Sequence, residues 1–584
     1  MRLNAIDGQE LSLGKYRPMM DERLGNLDNQ EFCFKLWHKD AGLWKADPKV
    51  QEQIRNSLGW LHVAGKMEEN LDVLYEFVRE VQAAGFSHVV HMGMGGSSLA
   101  PLVFERTLKP SRRGLPLTVL DTTDPATIRR IERDVPIKDT LFIVASKSGT
   151  TAEPLAFGEY FHARVKEMKG EKAGGNFVAI TDPETPLVAV AEKRGFRRTF
   201  LNFRDIGGRY SALSYFGLVP AALMGVDVAE MVIRALRETH ACASWIPALE
   251  NPGIKLGLVM GELARRGRDK VTFLIPRPIG ALGMWLEQLL AESTGKEGRG
   301  LLPVTGEPVG APSVYGDDRL FVYISLKDDV DKNLESGVAA LHDAGHPVVT
   351  IRMDDVLDLG RQFFRWEIAT ATAGAVLEIN AFDQPNVQES KNNTNRLLEV
   401  VRAQGRLPED KPSLEEGPLK LYAGDAGRTV SETLAHFFAQ ARPHDYIALH
   451  AYWPETPETE RSLQRIRVLL RDNLHLATTV GYGPRLLHST GQFHKGGPNT
   501  GLFVQLTAEY KEDVPIPGEP YGFGVFKQAQ AMGDMEALKK HGRQVLRIHL
   551  DELTRGLPAI EGAVQTALEF EPEMTGLTGR EGSG

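Results

Sequence analysis

The chain has 584 residues, of which 42% are hydrophobic and 25% are charged, and its formal net charge is −9. This length exceeds what one hydrophobic core supports, so we expect three or four packed units. The acidic balance excludes the basic surface typical of nucleic-acid-binding proteins, and no stretch approaches the roughly 20 apolar residues that cross a membrane. Cys33 and Cys242 are too few for a disulfide framework, and the first thirty residues hold no apolar signal core, which predicts a cytoplasmic protein.

Residues 1–80 are predicted to be a helical N-terminal segment, because apolar residues recur there at helical spacing. Residues 81–235 are predicted to form the first α/β unit. Its strands are short apolar runs separated by helical stretches, at 88–92, 117–121, 141–145, 177–181 and 199–202. This alternation predicts a doubly wound parallel sheet.

The loop after the strand at 141–145 combines hydroxyl groups, one ammonium group and a row of backbone N–H groups. Its polar residues are Ser146, Lys147, Ser148, Thr150 and Thr151. Pro154 suits the first turn of a following helix, whose positive dipole end faces the loop. The pattern predicts a phosphate site, and an ordinary N-capped turn is the alternative.

Two further turns in this unit bring the backbone close to a ligand. A glycine-rich turn at 93–98 follows the first strand but does not fit the dinucleotide pattern GxGxxG. Gly207 and Gly208 precede Arg209, so the backbone can turn closely and direct a permanent charge inward. Taken alone, that second turn is equally typical of a surface loop with a solvated arginine.

Residues 236–404 are predicted to form a second α/β unit, with strands at 271–276, 320–326 and 348–353. A helix over 282–292 carries Gln288 and Glu292 four positions apart on one face. A polar turn at 378–386 leads into a helix that bears Lys391. After a linker at 405–418, strands at 445–452, 474–480, 502–507 and 545–550 predict a C-terminal α/β extension over 419–570, followed by a disordered tail at 571–584.

Five motifs in this order resemble the glucose-6-phosphate isomerase family. They are Gly-x-Gly-Gly-Ser at 93–97, Ser-Lys-Ser-Gly-Thr-Thr-x-Glu at 146–153, Gly-Gly-Arg-Tyr-Ser at 207–211, Glu-Ser-Thr-Gly-Lys at 292–296 and Asn-x-Phe-Asp-Gln with a later lysine at 380–391. The resemblance implies two sugar-isomerase (SIS) units, each a three-layer αβα sheet, with the site between them. It also implies a homodimer that needs neither metal nor cofactor and acts on a hexose 6-phosphate.

The resemblance also implies roles for particular residues. Glu292 matches the carboxylate that moves a proton between C2 and C1, Arg209 matches the arginine beside these carbons, and Lys391 matches a lysine near the ring oxygen. The remaining matches line the pocket or hold the sugar phosphate: Gly96, Ser97, Ser146, Lys147, Ser148, Thr151, Gly208 and Gln288. The chemistry fits, because forming an enediolate needs a base and a cation that stabilises the negative charge.

The family's ring-opening histidine has no match between Glu292 and Lys391 in its usual Gly-Gln-His context. The extension, however, contains a polar glycine-rich loop at 487–498 with two histidines. This region resembles the C-terminal part of bifunctional transaldolase/glucose-6-phosphate isomerase fusions, whose transaldolase barrel this sequence lacks, and residues 1–80 resemble the joining segment. We therefore predict that His494 opens the ring, the alternative being a structural or solvated loop.

Three other functions remain open. Thr294 stands where most of the family has asparagine, so the enzyme could also accept mannose 6-phosphate. A sugar-phosphate sensor without catalysis is a second possibility, although a sensor needs neither Glu292 nor Arg209. Transaldolase activity is disfavoured because no eight-fold barrel pattern is present.

Overall fold

A computed structural model describes residues 8–408, 410–424 and 427–569. The strands in chain order are β1 (Gln9–Ser12), β2 (His88–Met92), β3 (Leu117–Leu120), β4 (Thr140–Ala145), β5 (Phe177–Thr181), β6 (Arg198–Leu201), β7 (Lys270–Leu274), β8 (Leu302–Val304), β9 (Arg319–Leu326), β10 (Val348–Met353), β11 (Leu414–Glu416), β12 (Leu419–Tyr422), β13 (Tyr446–Tyr452), β14 (Ala477–Tyr482), β15 (Gly501–Ala508) and β16 (Gln544–Leu550). The helices are α1 (Arg17–Asn29), α2 (Phe32–Trp37), α3 (Pro48–Arg55), α4 (Val63–Glu68), α5 (Leu71–Ala83), α6 (Leu99–Thr107), α7 (Pro125–Asp134), α8 (Ala152–Lys169), α9 (Pro186–Arg194), α10 (Tyr215–Leu223), α11 (Val228–Ala241), α12 (Pro252–Ala264), α13 (Leu282–Thr294), α14 (Lys332–Asp343), α15 (Leu359–Val376), α16 (Val387–Gln404), α17 (Val430–Phe438), α18 (Pro457–Leu474), α19 (Gly491–Gly496), α20 (Phe523–Lys540) and α21 (Leu553–Glu569).

The first sheet has the order β3-β2-β4-β5-β6, and all its neighbouring strands are parallel. Its central strand β4 is buried on both faces. Leu141 and Ile143 pack in one hydrophobic cluster, whereas Phe142 and Val144 pack in another on the opposite face. Burial on both faces explains why β4 is a continuous apolar run. The predicted doubly wound α/β fold is confirmed.

The second sheet has the order β1-β10-β9-β7-β8, in which only β1 is antiparallel to its neighbour. The segment predicted to be helical at 1–80 thus also contains β1, a strand that the sequence analysis does not predict. Its four residues are too few and too polar to show a strand pattern, and they become a strand by pairing with the edge of β10. The first and second sheets share one core, since Leu141 of β4 and Val322 of β9 belong to the same cluster.

The third sheet has the order β11-β12-β16-β15-β13-β14, with β13 to β16 parallel and β11 and β12 antiparallel. The predicted α/β extension is confirmed, but β11 lies within the predicted linker at 405–418, where its three residues carry no strand signal. The tail at 571–584 lies outside the described residues, and the other domain boundaries stay predictions. Within the part of the chain that the structure describes, no helix is both long and apolar enough to cross a membrane.

The third unit packs against both other units. Phe526 of α20 lies in the cluster that covers one face of the first sheet, and Phe493 of α19 packs with Ala291 of α13 and Val304 of β8. The loops of the three units therefore meet in one region.

Candidate active site

The loop between β4 and α8 is closed by its own hydroxyl groups. Ser146 Oγ donates to Thr151 Oγ1 at 3.0 Å, and the Thr151 amide donates back to Ser146 Oγ at 3.4 Å. Ser148 and Thr150 join their hydroxyls at 2.9 Å and are exposed at the loop tip. Gly149 has a φ of +66°, which only glycine adopts without strain, so the loop curls before α8 begins. The loop therefore ends at the N-terminus of α8, and its role as an anion cradle stays a prediction.

Lys147 does not point into that cradle as a free cation. Its ammonium group pairs with Asp182, which follows β5, and its carbonyl accepts the Asp182 amide at 3.1 Å. Lys147 therefore ties the loop to the neighbouring strand end. Its predicted contact with a phosphate stays a prediction.

The glycine-rich turn at 93–97 lies directly against the turn that carries Arg209. A Cβ atom on Gly96 would lie 2.1 Å from the carbonyl carbon of Gly208 and 2.7 Å from the Arg209 amide nitrogen. Only glycine allows this approach. Ser97 is buried beside the turn, and its carbonyl accepts a hydrogen bond from His91 Nε2 at 2.6 Å.

Arg209 is buried and almost fully bonded by protein groups. Its Nε donates to Ser293 Oγ at 2.7 Å, Nη1 to Gln384 Oε1 at 3.0 Å, and Nη2 to the carbonyls of Ala381 and Asp383, both at 2.9 Å. Nη1 also lies 3.5 Å from Glu292 Oε1. The guanidinium is thus fixed beside the carboxylate as a positive charge, and the alternative of a solvated surface arginine is wrong.

The last turns of α13 bring Gln288 and Glu292 together as predicted from their spacing. Gln288 Nε2 donates to Glu292 Oε2 at 2.9 Å and to the carbonyl of His488 at 2.7 Å. The Glu292 side chain is 12% exposed, so the carboxylate is largely shielded but not sealed from ligands. A single amide thereby links the second unit to the third.

A cavity of about 270 Å³ is lined by residues of all three units. Thr150, Thr151 and Glu153 come from the first unit, Lys391 comes from α16, and His488 comes from the third unit. His488 Nε2 lies 2.8 Å from Glu153 Oε1, which also accepts from Gln530 at 2.7 Å. Burial alone would raise the pKa of Glu153, but His488 and Lys391 together hold it below its usual value, so the carboxylate stays ionised beside the imidazole.

His494 does not line this cavity. It lies inside the third unit with 2% exposure, its Nδ1 bonds the Tyr446 hydroxyl at 2.9 Å, and its ring contacts His450 and Phe503. Burial lowers its pKa well below the usual value, and His450 and Lys495 act in the same direction. His494 was predicted in place of His488, because the sequence of the loop does not show which of its two histidines lines the cavity.

Lys296, in the motif at 292–296, is a second site residue that sequence reasoning did not assign. Its Nζ donates to the Asp383 carbonyl at 2.6 Å and to Asp383 Oδ1 at 2.7 Å. Burial and the nearby Arg209 lower its pKa to about 8, although Asp383 and Glu292 oppose the shift. Because the same Asp383 carbonyl accepts from Arg209, Lys296 helps to fix the loop that holds the guanidinium.

The sequence of this chain is similar to those of known proteins. A family model described as phosphoglucose isomerase matches residues 62–297. A glucose-6-phosphate isomerase of Rubrobacter xylanophilus is 30% identical over 376 residues, which span 56% of this chain and 86% of that relative. The chain belongs to the phosphoglucose isomerase family.

Other relatives cover more of the chain. A probable glucose-6-phosphate isomerase of Methanococcus maripaludis is 26% identical over 434 residues, 67% of this chain and 94% of the relative. The crystal structure of a hypothetical protein from Thermus thermophilus has a TM-score of 0.57 at 26% identity, covering 66% of this chain and 99% of its own. The family match ends at 297, so Lys391 and His488 lie beyond it.

Proposed function

We propose that this chain interconverts glucose 6-phosphate and fructose 6-phosphate. The observation that carries the proposal is the Glu292 carboxylate, which Gln288 holds at 2.9 Å beside Arg209 at 3.5 Å in the last turn of α13. Relatives that align over 86% and 94% of their own length are named for this isomerisation. A sensor would not need the paired base and cation.

Glu292 is the proposed base that moves a proton between C2 and C1. Removing a proton next to a carbonyl leaves an enediolate, whose charge the fixed Arg209 guanidinium stabilises without reorganising. A positioned base typically contributes about 10²- to 10⁴-fold. The hydrogen bond from Gln288 holds one carboxylate oxygen, which leaves the other oxygen toward Arg209 and the substrate.

The exposed hydroxyls of Ser148 and Thr150, the Thr151 backbone and the start of α8 form the proposed phosphate site. The close contact of Gly96 with Gly208 fixes the turn that carries Arg209. Holding the phosphate fixes the reacting carbons relative to Glu292, which turns binding energy into orientation. Cytoplasmic location, the homodimer and the absence of metal and cofactor stay predictions.

We propose His488, in place of His494, for the ring-opening proton transfer. His488 lines the cavity with Lys391, and its Nε2 is engaged by the ionised Glu153 at 2.8 Å, which leaves Nδ1 for the sugar. A carboxylate partner fixes the orientation of an imidazole. Lys391 is exposed on the cavity wall, where its charge can face the ring oxygen.

The dual-specificity alternative rested on Thr294 as a pocket wall. The Thr294 hydroxyl instead donates to the Leu290 carbonyl at 2.7 Å and accepts from the Leu301 amide at 2.9 Å. Its hydroxyl is therefore occupied by the backbone, and no contact of Thr294 with the described residues favours a second substrate. Turnover of mannose 6-phosphate in the assay below would reinstate this alternative.

The test is turnover of fructose 6-phosphate by the native chain and by Glu292→Gln, with Glu297→Gln as the matched control. Glu297 lies just beyond the same helix, and its side chain is 53% exposed. We expect native turnover, a loss of about 10²-fold or more in Glu292→Gln, and a rate within about twofold of native in the control. A native chain that binds glucose 6-phosphate but never converts it would instead establish the sensor.

A further inference from the structure

A second and larger cavity, of about 900 Å³, lies at the carboxyl ends of β7 and β8, away from the 270 Å³ cavity. There β7 leads into the 3₁₀ turn Arg277–Ile279 and then into α13, just as β2 leads into the 3₁₀ turn Gly95–Ser97 and then into α6. In open α/β sheets, ligands bind in crevices at the carboxyl ends of the strands. In the second unit such a crevice is present, and the proposed isomerase chemistry does not use it.

Arg467 of α18 lies in the wall of this cavity and is almost wholly buried. Its Nε donates to the Thr478 carbonyl at 2.9 Å, but Nη2 has no hydrogen-bond partner among the described residues. A buried guanidinium with an unmatched donor is costly, and an anion held beside the guanidinium would offset that cost. Burial lowers the pKa of Arg467, although Glu307 opposes the shift.

Four arginines and five carboxyl groups line the cavity, and the arginines divide into matched and unmatched groups. Arg485 is matched by Asp121 at 2.6 Å and by Glu455 at 2.9 Å. Arg106 is matched by the same Glu455 at 2.7 Å. Arg277, at the rim, is exposed and has no ion pair within the residues that the structure covers. Arg277 and Arg467 are therefore the two guanidinium groups that the cavity leaves for a ligand.

A carboxyl group and two hydroxyl groups also line the cavity. Glu287 accepts from the Thr305 hydroxyl at 3.1 Å and from Ser489 Oγ at 3.5 Å. Burial raises the pKa of Glu287 to about 7, although Thr305, Arg467 and Arg485 act in the opposite direction. Near neutral pH the Glu287 carboxyl is partly protonated. Together with the two hydroxyls it can therefore both donate hydrogen bonds to the hydroxyl groups of a ligand and accept them.

We propose that this cavity is an effector site for a small hydroxylated organic phosphate, with the phosphate on Arg277 and Arg467 and the hydroxyls on Glu287 and its neighbours. Guanidinium groups match phosphate oxygens in geometry as well as charge. The cavity is large enough for such a ligand.

The effector site is linked to the proposed active site through two pairs of adjacent residues. Glu287 precedes Gln288, which holds Glu292, and Ser489 follows His488, whose carbonyl Gln288 also holds. A ligand that contacts Glu287 and Ser489 therefore changes the position of His488, and this coupling alters the isomerisation rate. That regulatory step rests on the proposed function, whereas binding to the cavity does not.

The binding test is calorimetric titration with glycerol 3-phosphate. The native chain should bind two molecules, and a Ser148→Ala/Thr150→Val variant, whose active-site loop is weakened, should keep one of them. Arg277→Ala and Arg467→Met should each lower the affinity of the remaining site by tenfold or more. If Arg467→Met does not fold, Arg277→Ala is a sufficient test because Arg277 is exposed. A loop variant with no remaining site, or native affinity in a folded arginine variant, would overturn the proposal.

The regulatory test measures turnover at saturating substrate, so that glycerol 3-phosphate cannot act by displacing it. Added glycerol 3-phosphate should change the kcat of the native chain at least twofold and leave the kcat of Arg277→Ala unchanged. An unchanged kcat in an active native chain would overturn the regulation while the titration still decides the site. A chain without any turnover would instead mark failure of the proposed function.

Discussion

His488 and His494 lie six positions apart in one loop, yet they occupy opposite environments. His488 lines the cavity with Lys391 and touches Glu153, whereas His494 is enclosed by Tyr446, His450 and Phe503. The turn Arg485–His488 ends before α19 begins, and this change of direction separates the two rings. The sequence shows that the loop is polar, but the direction of each ring depends on contacts with distant strands.

Replacing His488 by glutamine should lower kcat/KM on the ring-closed hexose 6-phosphate by about 10²-fold, because the ring-opening proton transfer is lost. His494→Gln should instead destabilise the third unit by about 1–3 kcal/mol, since it disturbs a buried hydrogen bond to Tyr446. His436, which is exposed, provides the control variant. Steady-state rates and urea unfolding distinguish the two variants. If His494→Gln lost activity at native stability and His488→Gln lost none, the ring-opening role of His488 would be refuted.

Glu367 of α15 is a buried carboxyl group whose two oxygens find no hydrogen-bond partner in the described chain. Burial raises its pKa well above the usual value. In the unfolded chain this group ionises at its ordinary pKa, so as pH rises above that value the unfolded state loses the proton first and native stability falls. The slope for one such group is about 1.4 kcal/mol per pH unit until the folded pKa is reached.

Glu367→Gln should remove that slope, so the variant should gain stability relative to the native chain between about pH 5 and pH 8. Urea unfolding at the two pH values measures the difference, with the exposed Glu171→Gln as the control. If native and Glu367→Gln chains changed stability in parallel with pH, the buried carboxyl would have to be paired or ionised in the fold.

The turns at 93–97 and 207–211 show how backbone geometry builds the site. Each is recognisable from its glycines, but their mutual contact is not, because more than 100 residues separate them in the sequence. Gly96 sits against Gly208 with no room for a methyl group. In helix α13, by contrast, the contact is local. Gln288 and Glu292 lie four positions apart, and this spacing alone predicts that they share one face of the helix.

Gly96→Ala should therefore push the Arg209 turn away and lower kcat by about 10²-fold, the typical effect of a displacement near about 1 Å. Gly65→Ala in α4 is the matched control, because its added methyl group meets no atom within 4 Å outside the helix backbone. The control should keep native activity and gain about 0.5–1 kcal/mol in stability. An active Gly96→Ala chain would contradict the close packing of the two turns.

The strands that the sequence did not predict are the short strands β1, β8, β11 and β12. Each has three or four residues, which is too short for an alternating pattern to be recognised, and pairing comes from contacts that the local sequence does not encode. The long apolar strands β4, β9 and β13 could be predicted to within two residues, because burial on both faces requires a continuous apolar run.

The three units behave as one packed molecule because buried charges as well as apolar clusters join them. Lys527 of α20 pairs with Asp124 at 2.7 Å, and the two side chains are 5% and 2% exposed. The same Asp124 caps α7 by accepting the Thr127 amide. The sequence predicts three units, but the partner of this buried charge belongs to another unit and leaves no local signal.

Lys527→Met should leave Asp124 as an unpaired buried charge and cost about 3–5 kcal/mol in unfolding free energy. The double variant Lys527→Met/Asp124→Asn should lose less than the sum of the single losses. Arg465→Met serves as the control, because the arginine of its pair with Glu561 is 58% exposed and exposed ion pairs contribute little to stability. Equal losses in Lys527→Met and Arg465→Met would contradict a coupled first and third unit.

Isomerisation of fructose 6-phosphate in D₂O, followed by NMR, measures most directly whether Glu292 carries the proton between C2 and C1. Over many turnovers the native chain should place deuterium at C2 of glucose 6-phosphate. Glu292→Gln should lose turnover and exchange together by about 10²-fold or more. Native rates of turnover and exchange in Glu292→Gln, or native turnover without any exchange, would show that Glu292 does not carry this proton.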